Sequence, residues 1–322
     1  MAAATERIRG ELVLRGSAPA KLNLALAVRS LTDEAASLPA GLHEIASWMH
    51  LIELAGEVRV SHAPETTLNL VWADEAPRRS PIDWNPADDL VMRAHAALEA
   101  ATGRSLPTRL EVLKRVPVGG GLGGGSSEAA TALVLMNTLH DLGLDTHTLL
   151  RVARSVGSDV AFFVWCECSG ACSALVQGAG DVIEPCGPAS ADVVLMLPAF
   201  GCPTGEVYRA FDANAQKHLF RAEAVRQLSQ ADVVESFAAG LLFNDLAEPA
   251  TTVRSELASL ANMLEQGVGQ RVMVTGSGST LFTLARAGDG PELAQRLALH
   301  LREQPEAAEP AFGVIANRFA NR

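Results

Sequence analysis

Alternation of apolar and polar residues dominates the opening part of the chain and predicts β-strands. Residues 11–15 form one alternating stretch, and residues 21–28 form another after a Gly-Ser-Ala-Pro break. Residues 31–41 contain Asp, Pro and Gly and are loop-like, and strand character resumes at 45–54 and 57–62. The chain is therefore predicted to open with a region built mainly from strands.

Apolar residues recur at helical spacing further along the chain. Residues 88–102 repeat them every three or four positions, and Gly103 ends this predicted helix. A strand at 110–116 leads into a glycine-rich loop that opens a second helix at 127–142. A third helix is predicted at 145–155, because Asp or Thr can cap its start and a glycine follows its end.

Two short apolar stretches after these helices are predicted to be paired strands. They span 160–167 and 171–177, and Ser169-Gly170 between them is a hairpin signal. Cys166 and Cys168 would then share one strand face as small buried side chains. The five cysteines are an odd number, and those near position 170 lack a fourth ligand at zinc spacing, which favours reduced thiols over disulfides or a metal site.

The pattern restarts after Gly187-Pro188, where a buried strand is predicted at 192–197. With 322 residues the chain exceeds the usual size of one domain. We therefore predict two domains that share a cleft, residues 1–187 and residues 188–322. The second half mixes helices and strands, with helices predicted at 206–212, 221–228 and 253–265 and strands at 271–275 and after position 280.

Composition and charge narrow the function classes. The hydrophobic fraction is 48%, and no apolar run approaches the roughly 18 residues that a membrane span needs. The first ten residues lack the apolar core of a secretory signal, so we expect a cytoplasmic protein without a membrane partner. A net charge of −11 argues against a nucleic-acid partner, and the oligomeric state stays open.

The glycine-rich loop between the second helix and the preceding strand is the clearest chemical signal. It reads Pro117-Val118-Gly119-Gly120-Gly121-Leu122-Gly123-Gly124-Gly125-Ser126-Ser127. Glycines allow positive φ and close approach of the backbone, so consecutive N–H groups and the helix N-terminus can converge on a phosphate. We predict that this loop binds the phosphates of a nucleotide.

Three other interpretations of the loop are weaker. A flexible linker would not be flanked by so well formed a strand and helix. The spacing Gly119-x-Gly121-x-x-Gly124 matches the dinucleotide pattern, but a run of glycines matches it by chance, away from the first strand of a βαβ unit. A Walker A loop needs a Lys before its final Ser or Thr, and the loop has none.

The loop is the middle one of three ordered motifs that resemble those of the GHMP kinases. The first motif is Pro19-Ala20-Lys21-Leu22-Asn23-Leu24, and the third is Gly276-Ser277-Gly278-Ser279-Thr280. Several shorter matches, among them Gly41-Leu42-His43-Glu44 and Gly157-Ser158-Asp159, resemble the GHMP kinases that phosphorylate a cytidine diphosphate-linked tetritol in non-mevalonate isoprenoid synthesis.

The resemblance implies an α+β fold of two domains and an ATP-dependent kinase acting on a small alcohol. The N-terminal half would resemble ribosomal protein S5 domain 2 and bind ATP, and the C-terminal half would be ferredoxin-like. ATP would lie in the glycine loop, contacted by Pro117, Gly119, Gly120, Gly121, Gly123, Gly124, Gly125, Ser126 and Ser127. Mg²⁺ would accompany it, with Ser126 as the candidate ligand.

The resemblance also assigns catalytic roles to two residues. Taken alone, Lys21 would be a surface lysine and Asp159 a capping residue at the head of a strand. In similar kinases the Asp orients or accepts the hydroxyl proton, and the Lys neutralises developing charge and lowers the pKa of the Asp.

Substrate contacts are implied for a further set of residues. His43 would bond the edge of the cytosine and Tyr208, the one tyrosine in the chain, would stack on its face. Leu42 stands where that subgroup carries an aromatic residue, which weakens discrimination of the base. The complete predicted set is Asn23, His43, Thr204, Tyr208, Gly276, Ser277 and Gly278.

Two other functions stay open at the level of the sequence. One is a GHMP kinase acting on homoserine, mevalonate or a sugar. The other is a non-catalytic nucleotide-binding sensor, against which the presence of both Lys21 and Asp159 argues.

Overall fold

The computed structural model describes residues 4–8, 11–33, 38, 41–214, 219–303 and 313–320. Its strands are β1 (Ala4–Ile8), β2 (Glu11–Val28), β3 (Ile45–His62), β4 (Thr67–Trp72), β5 (Thr108–Lys114), β6 (Ser173–Gly178), β7 (Val182–Pro185), β8 (Asp192–Leu197), β9 (Met273–Val274), β10 (Leu281–Ala285) and β11 (Gly313–Arg318). Its helices are α1 (Leu90–Thr102), α2 (Gly124–Leu139), α3 (Thr146–Val156), α4 (Ser158–Ser169), α5 (Thr204–Ala213), α6 (Ala222–Leu228), α7 (Val233–Ala238), α8 (Ala247–Val253), α9 (Ser255–Val268) and α10 (Gly290–Arg302).

The first sheet is organised by the two longest strands, β2 and β3. The order β1-β2-β3-β5-β4 is antiparallel except for the parallel pair β4 and β5. β3 pairs with β5 over residues 57–62 and with β6 over residues 45–50, and β7 extends the sheet beside β6. One long strand therefore carries two partners on the same side.

The predicted breaks within the early strands are wrong. Residues 11–28 form one strand and residues 45–62 form another. The register of β2 against β3 shifts between Pro19 and Lys21 and again between Asn23 and Ala25. Bulges absorb the proline without ending the strand, since a bulge is one of the sites where a sheet tolerates proline.

Helices α1 to α4 cover one face of this sheet. α1 begins after Asp89, whose side chain accepts a hydrogen bond from the N–H of Val91, and it ends at Gly103 in the left-handed conformation. α2 packs against β2, β3, α1 and α4, and most of its side chains are buried. A helix surrounded in this way holds its N-terminus, and the glycine loop before it, in a defined place.

The second sheet has the order β11-β8-β10-β9 and is antiparallel throughout. Leu22 and Leu24 of β2 share an apolar cluster with Leu195 of β8 and Phe282 of β10. The sheets are therefore joined by apolar packing. The chain passes from one to the other between Pro185 and Asp192, which is compatible with the predicted boundary after residue 187, although that boundary stays a prediction.

The strand predicted at 160–167 is wrong, because these residues lie in helix α4. Val160 to Val164 are all buried, so the segment has no polar face that would reveal a helical period. Gly170 adopts φ 74° and ends the helix instead of turning a hairpin. Cys166 is buried and Cys168 is exposed, so the predicted shared strand face does not exist.

Several elements lie where the pattern predicted none: β1, β4, β7, β11, α7, α8 and α10. Most are short or lie near the end of the chain. The α+β prediction is confirmed. Among the described residues, no helix combines the length and the apolar character needed to cross a membrane.

Candidate active site

The glycine loop is fastened to the third motif by backbone hydrogen bonds. The carbonyl of Gly119 accepts from the N–H of Ser279 at 3.2 Å, and that of Gly120 accepts from the N–H of Thr280 at 3.2 Å. On the opposite side, the N–H of Lys21 donates to the carbonyl of Leu122 at 3.0 Å. The three motifs therefore meet at one place, although more than 250 residues separate the first from the third.

Close packing explains why this loop needs glycine at particular positions. Gly121 has φ 73°, and a Cβ atom there would lie 2.3 Å from the carbonyl oxygen of Thr275. A Cβ atom on Gly276, at φ 55°, would lie 3.0 Å from Asn23 Oδ1 and 3.3 Å from Lys21 Nζ. Both glycines are required by close approach and by the left-handed conformation.

The start of helix α2 presents the groups that bind anions. Gly123, at φ 71°, precedes the helix, and the N–H groups of its first turn have no acceptor within the helix. Ser126 lies in this first turn and lines the cavity. The positive end of the helix dipole and these N–H groups suit a phosphate.

Ser127 is placed differently from the other loop residues. It is buried, and its hydroxyl has no hydrogen-bond partner among the described residues. The structure therefore does not bring this predicted phosphate contact into the cavity.

The side chain of Lys21 lies where the first motif, the glycine loop and the third motif meet. Its ammonium group donates to the side-chain oxygen of Asn23 at 2.5 Å and to the carbonyl of Gly121 at 2.9 Å. The residue is 3% exposed, and this burial lowers the pKa of Lys21, while the nearby Asp159 opposes the shift. Lys21 is thus a buried cation aimed at the glycine loop, unlike a surface lysine.

Asp159 enters the site from the first turn of helix α4, and not from the head of a strand as predicted. Its Oδ2 atom lies 3.7 Å from Lys21 Nζ, and its side chain is 30% exposed. The carboxylate is near enough to Lys21 for attraction and open enough to meet a ligand.

A main cavity of about 540 Å³ lies between the glycine loop, Lys21 and Asp159. The predicted residues that line it are Lys21, Asn23, Pro117, Gly119, Gly120, Gly121, Gly123, Gly124, Gly125, Ser126, Asp159, Thr204, Tyr208, Gly276 and Ser277. Thr204 Oγ1 and Ser277 Oγ lie 3.1 Å apart on its wall. Of the other predicted residues, Gly278 and Ser127 lie outside this lining, and His43 lines a different cavity.

This second cavity, of about 490 Å³, adjoins the main one. Ile45, Ser158 and Tyr208 line both. The ring of His43 lies 4.7 Å from that of Tyr208, measured between centroids. A long substrate could therefore extend from Asp159 past Tyr208 to His43.

Comparison with known proteins places this arrangement in a family. Residues 89–167 match the N-terminal domain of the GHMP kinases. A 4-diphosphocytidyl-2-C-methyl-D-erythritol kinase of Pelotomaculum thermopropionicum is 33% identical over 279 residues, covering 85% of this chain and 89% of the relative. The enzyme of that name from Azorhizobium caulinodans is 33% identical, covering 92% of this chain and 96% of the relative. The chain belongs to the 4-diphosphocytidyl-2-C-methyl-D-erythritol kinase family of GHMP kinases.

A solved structure agrees with this assignment. The crystal structure of a 4-(cytidine 5'-diphospho)-2C-methyl-D-erythritol kinase superposes with a TM-score of 0.66 at 28% identity, covering 95% of this chain and all of that one. The predicted GHMP kinase fold is therefore confirmed. The chain is an ATP-dependent kinase that acts on a small molecule.

Sequence reasoning missed a buried polar group at the edge of the main cavity of this kinase. Lys114 of β5 pairs with Glu128 of α2, and the two side chains are 3% and 2% exposed. The ammonium group also lies 6.0 Å from the ring centroid of Trp84, whose N–H donates to Asp89 at 3.0 Å. Burial raises the pKa of Glu128, and Lys114 opposes the shift.

The pair had only a weak signal in the sequence. Lys114 and Glu128 lie in different elements, and nothing in their spacing shows that a strand and a helix bring them together. Lys114 and Trp84 line the main cavity of the kinase, so they belong to its wall.

Proposed function

We propose that this kinase transfers the γ-phosphoryl group of ATP to a hydroxyl group of 4-diphosphocytidyl-2-C-methyl-D-erythritol, a step of non-mevalonate isoprenoid precursor synthesis. The observation that carries the proposal is the position of Lys21 and Asp159, 3.7 Å apart, where the cavity of the glycine loop adjoins the cavity of His43. We also propose that the enzyme is cytoplasmic, where its co-substrate ATP is available.

The glycine loop is the proposed site of the ATP phosphates. The N–H groups at the start of α2 would donate to phosphate oxygens, and the missing Cβ atoms keep the backbone close enough for these bonds. The γ-phosphorus would then lie near Lys21, because Gly121 is bonded to its ammonium group. The cation neutralises charge on the transferred group without any rearrangement of the protein.

Asp159 is the proposed acceptor of the hydroxyl proton. The substrate oxygen attacks the γ-phosphorus, the bond from phosphorus to the bridging oxygen of ADP breaks, and the hydroxyl proton passes to the carboxylate. An exposure of 30% leaves this carboxylate room for a hydroxyl group. The 3.7 Å separation from Lys21 Nζ leaves the carboxylate without a short hydrogen bond to that cation.

The acceptor would extend from Asp159 into the second cavity. Tyr208 lines both cavities and offers a ring between them, and His43 lies beyond it for the cytosine edge. Leu42 is 51% exposed at this cavity and can pack on the base where the family has an aromatic residue.

Magnesium is proposed as the companion of ATP. No group of three or more His, Cys, Asp or Glu that could hold a metal ion occurs among the described residues. This fits an ion held mainly by the substrate phosphates and water, with Ser126 as the candidate protein ligand. Such an ion would neutralise phosphate charge.

A comparison of acceptors tests the proposal. Purified enzyme with ATP and Mg²⁺ is offered the diphosphocytidyl methylerythritol, mevalonate, homoserine and galactose in turn, and phosphorus NMR identifies any phosphorylated alcohol. We expect turnover with the cytidylyl substrate alone and loss of turnover with EDTA. Phosphorylation of one of the other alcohols in its place would overturn the assignment.

A further inference from the structure

The second cavity contains a contact between two side chains that the reaction itself does not use. His43 Nε2 lies 2.7 Å from Asp212 Oδ1. His43 comes from the segment before β3, and Asp212 from the last turn of α5, 169 residues away. Both residues line the cavity, and their side chains are 10% and 33% exposed.

The carboxylate determines which nitrogen of a neutral imidazole carries the proton. An ionised carboxylate only accepts hydrogen bonds, so the nitrogen that faces it must be the N–H donor. This places the proton of His43 on Nε2 and leaves Nδ1 as an acceptor. Among the described residues, none bonds to Nδ1.

Neighbouring rings hold the imidazole in place. Tyr208 lies against it at 4.7 Å between centroids, and Phe211 approaches at 6.0 Å with the rings at 76°. The ring is therefore packed against two aromatic side chains while its Nε2 atom faces Asp212. A ligand in the second cavity meets a histidine whose free nitrogen accepts a hydrogen bond.

We propose that Asp212 is a positioning residue that holds His43 in this tautomer and thereby selects cytosine over uracil as the base of the substrate. This inference rests on the proposed function. The amino group of cytosine donates a hydrogen bond, whereas the oxygen at the same position of uracil only accepts one. An accepting Nδ1 pairs with the first group and leaves the second unpaired, which is the strongest kind of discrimination a binding site provides.

The test compares two substrates that differ in one group of the base. The diphosphocytidyl methylerythritol and its uridine counterpart are assayed at pH 8 with the wild type, Asp212→Asn and Asp212→Ala. The wild type should prefer the cytidine compound in kcat/KM by roughly tenfold or more. In both variants the ratio should fall to within about threefold, because an amide or a methyl group no longer dictates the tautomer.

Two further variants separate positioning from general damage. Asp212→Glu keeps a carboxylate and should restore much of the preference. Glu206→Gln removes an exposed charge from the same helix and should leave the preference intact. The KM for ATP should change little in all variants, because Asp212 lies outside the lining of the main cavity.

A structural readout completes the test. Nitrogen NMR of the histidine rings, with His43 identified by its loss in His43→Gln, should show a proton on Nε2 in the wild type and a mixture of tautomers in Asp212→Asn. Unchanged base preference in Asp212→Asn and Asp212→Ala would overturn the inference while the proposed function stands. A wild type that phosphorylates neither substrate would overturn the proposed function and this inference together.

Discussion

Two pairs of lysine and carboxylate lie beside the glycine loop, and they are built in opposite ways. In the first pair, Lys21 Nζ is 3.7 Å from Asp159 Oδ2, and the carboxylate is 30% exposed. In the second pair, Lys114 and Glu128 are joined by a direct hydrogen bond and neither side chain is more than 3% exposed. Both lysines line the main cavity.

The difference separates a pair that can act on a ligand from one that stabilises the cavity. Lys21 is held by Asn23 and Gly121, so Asp159 keeps lone pairs for a substrate. Glu128 has one oxygen bonded to Lys114, and its other oxygen has no partner among the described residues. A buried carboxylate of this kind depends on its single cation, because loss of that cation leaves an uncompensated charge.

The largest expected effect comes from removing Lys114 from its buried pair with Glu128. Lys114→Met should lower the free energy of unfolding by about 3 to 5 kcal/mol, since Glu128 is left buried and unpaired. The measurement is urea denaturation of the purified protein. Arg109→Met, on the same strand but in an exposed ion pair with Glu11, is the control and should change it by less than about 1 kcal/mol.

The pH dependence of that variant follows from the pKa of Glu128. Burial already raises this pKa, and loss of Lys114 raises it further. A group with a raised pKa binds more protons in the folded state than in the unfolded state. The loss of unfolding free energy in Lys114→Met should therefore be largest above neutral pH and shrink as pH falls. Replacing both partners by Lys114→Met with Glu128→Leu should recover much of the loss. A deficit that persists in the double variant would contradict the account of an uncompensated charge.

Changes to the pair of Lys21 and Asp159 should affect catalysis more than stability. Lys21→Ala and Asp159→Asn should each lower kcat by roughly 10² or more, which corresponds to about 3 kcal/mol of transition-state stabilisation. In Asp159→Asn the urea midpoint should move little, because the Asp159 side chain is partly solvated. Arg109→Ala, which removes an exposed cation, should keep the wild-type kcat. A near wild-type kcat in either site variant would exclude that residue from the chemistry.

A substitution in the glycine loop should disturb the pair of Lys21 and Asp159 and leave the pair of Lys114 and Glu128 unchanged. Gly121→Ala forces a Cβ atom to within 2.3 Å of the Thr275 carbonyl at φ 73°, and it displaces the carbonyl that accepts from Lys21. We expect the KM for ATP to rise about tenfold, since the backbone can no longer approach the phosphates closely. Gly187→Ala is the matched control, because its Cβ atom would meet nothing within 4 Å. Equal ATP affinity in both variants would count against the loop as the phosphate site.

The smallest expected effect concerns the alkaline side of the pH profile of kcat/KM. Lys21 must be protonated to neutralise phosphate charge, so kcat/KM should fall as pH rises through its pKa. Burial lowers that pKa from the ordinary 10.5, and the limb should therefore lie below 10.5. In Lys21→Arg the limb should disappear, because a guanidinium group stays charged. A limb at the same pH in the variant would assign it to another group.

Local signals were sufficient for some parts of the molecule. The end of α1 at Gly103, the glycine loop before α2 and the start of α3 were predictable because side chains and glycines near each boundary determine the backbone there. Helix α4 was not, since residues 160–164 are all buried and their apolar run suits a strand equally well.

The sequence alone determined the family, and it gave the glycine loop as the predicted phosphate site and Lys21 and Asp159 as the catalytic candidates, because each lies in a short motif that resembles those of the family. Only the tertiary structure decided which side chains meet. It joined Lys114 to Glu128 in a buried ion pair and placed Lys21 3.7 Å from Asp159. It also brought Asp212 into contact with His43, which lies 169 residues away in the sequence. These contacts depend on how helices pack on two sheets, and no spacing along the chain records that packing.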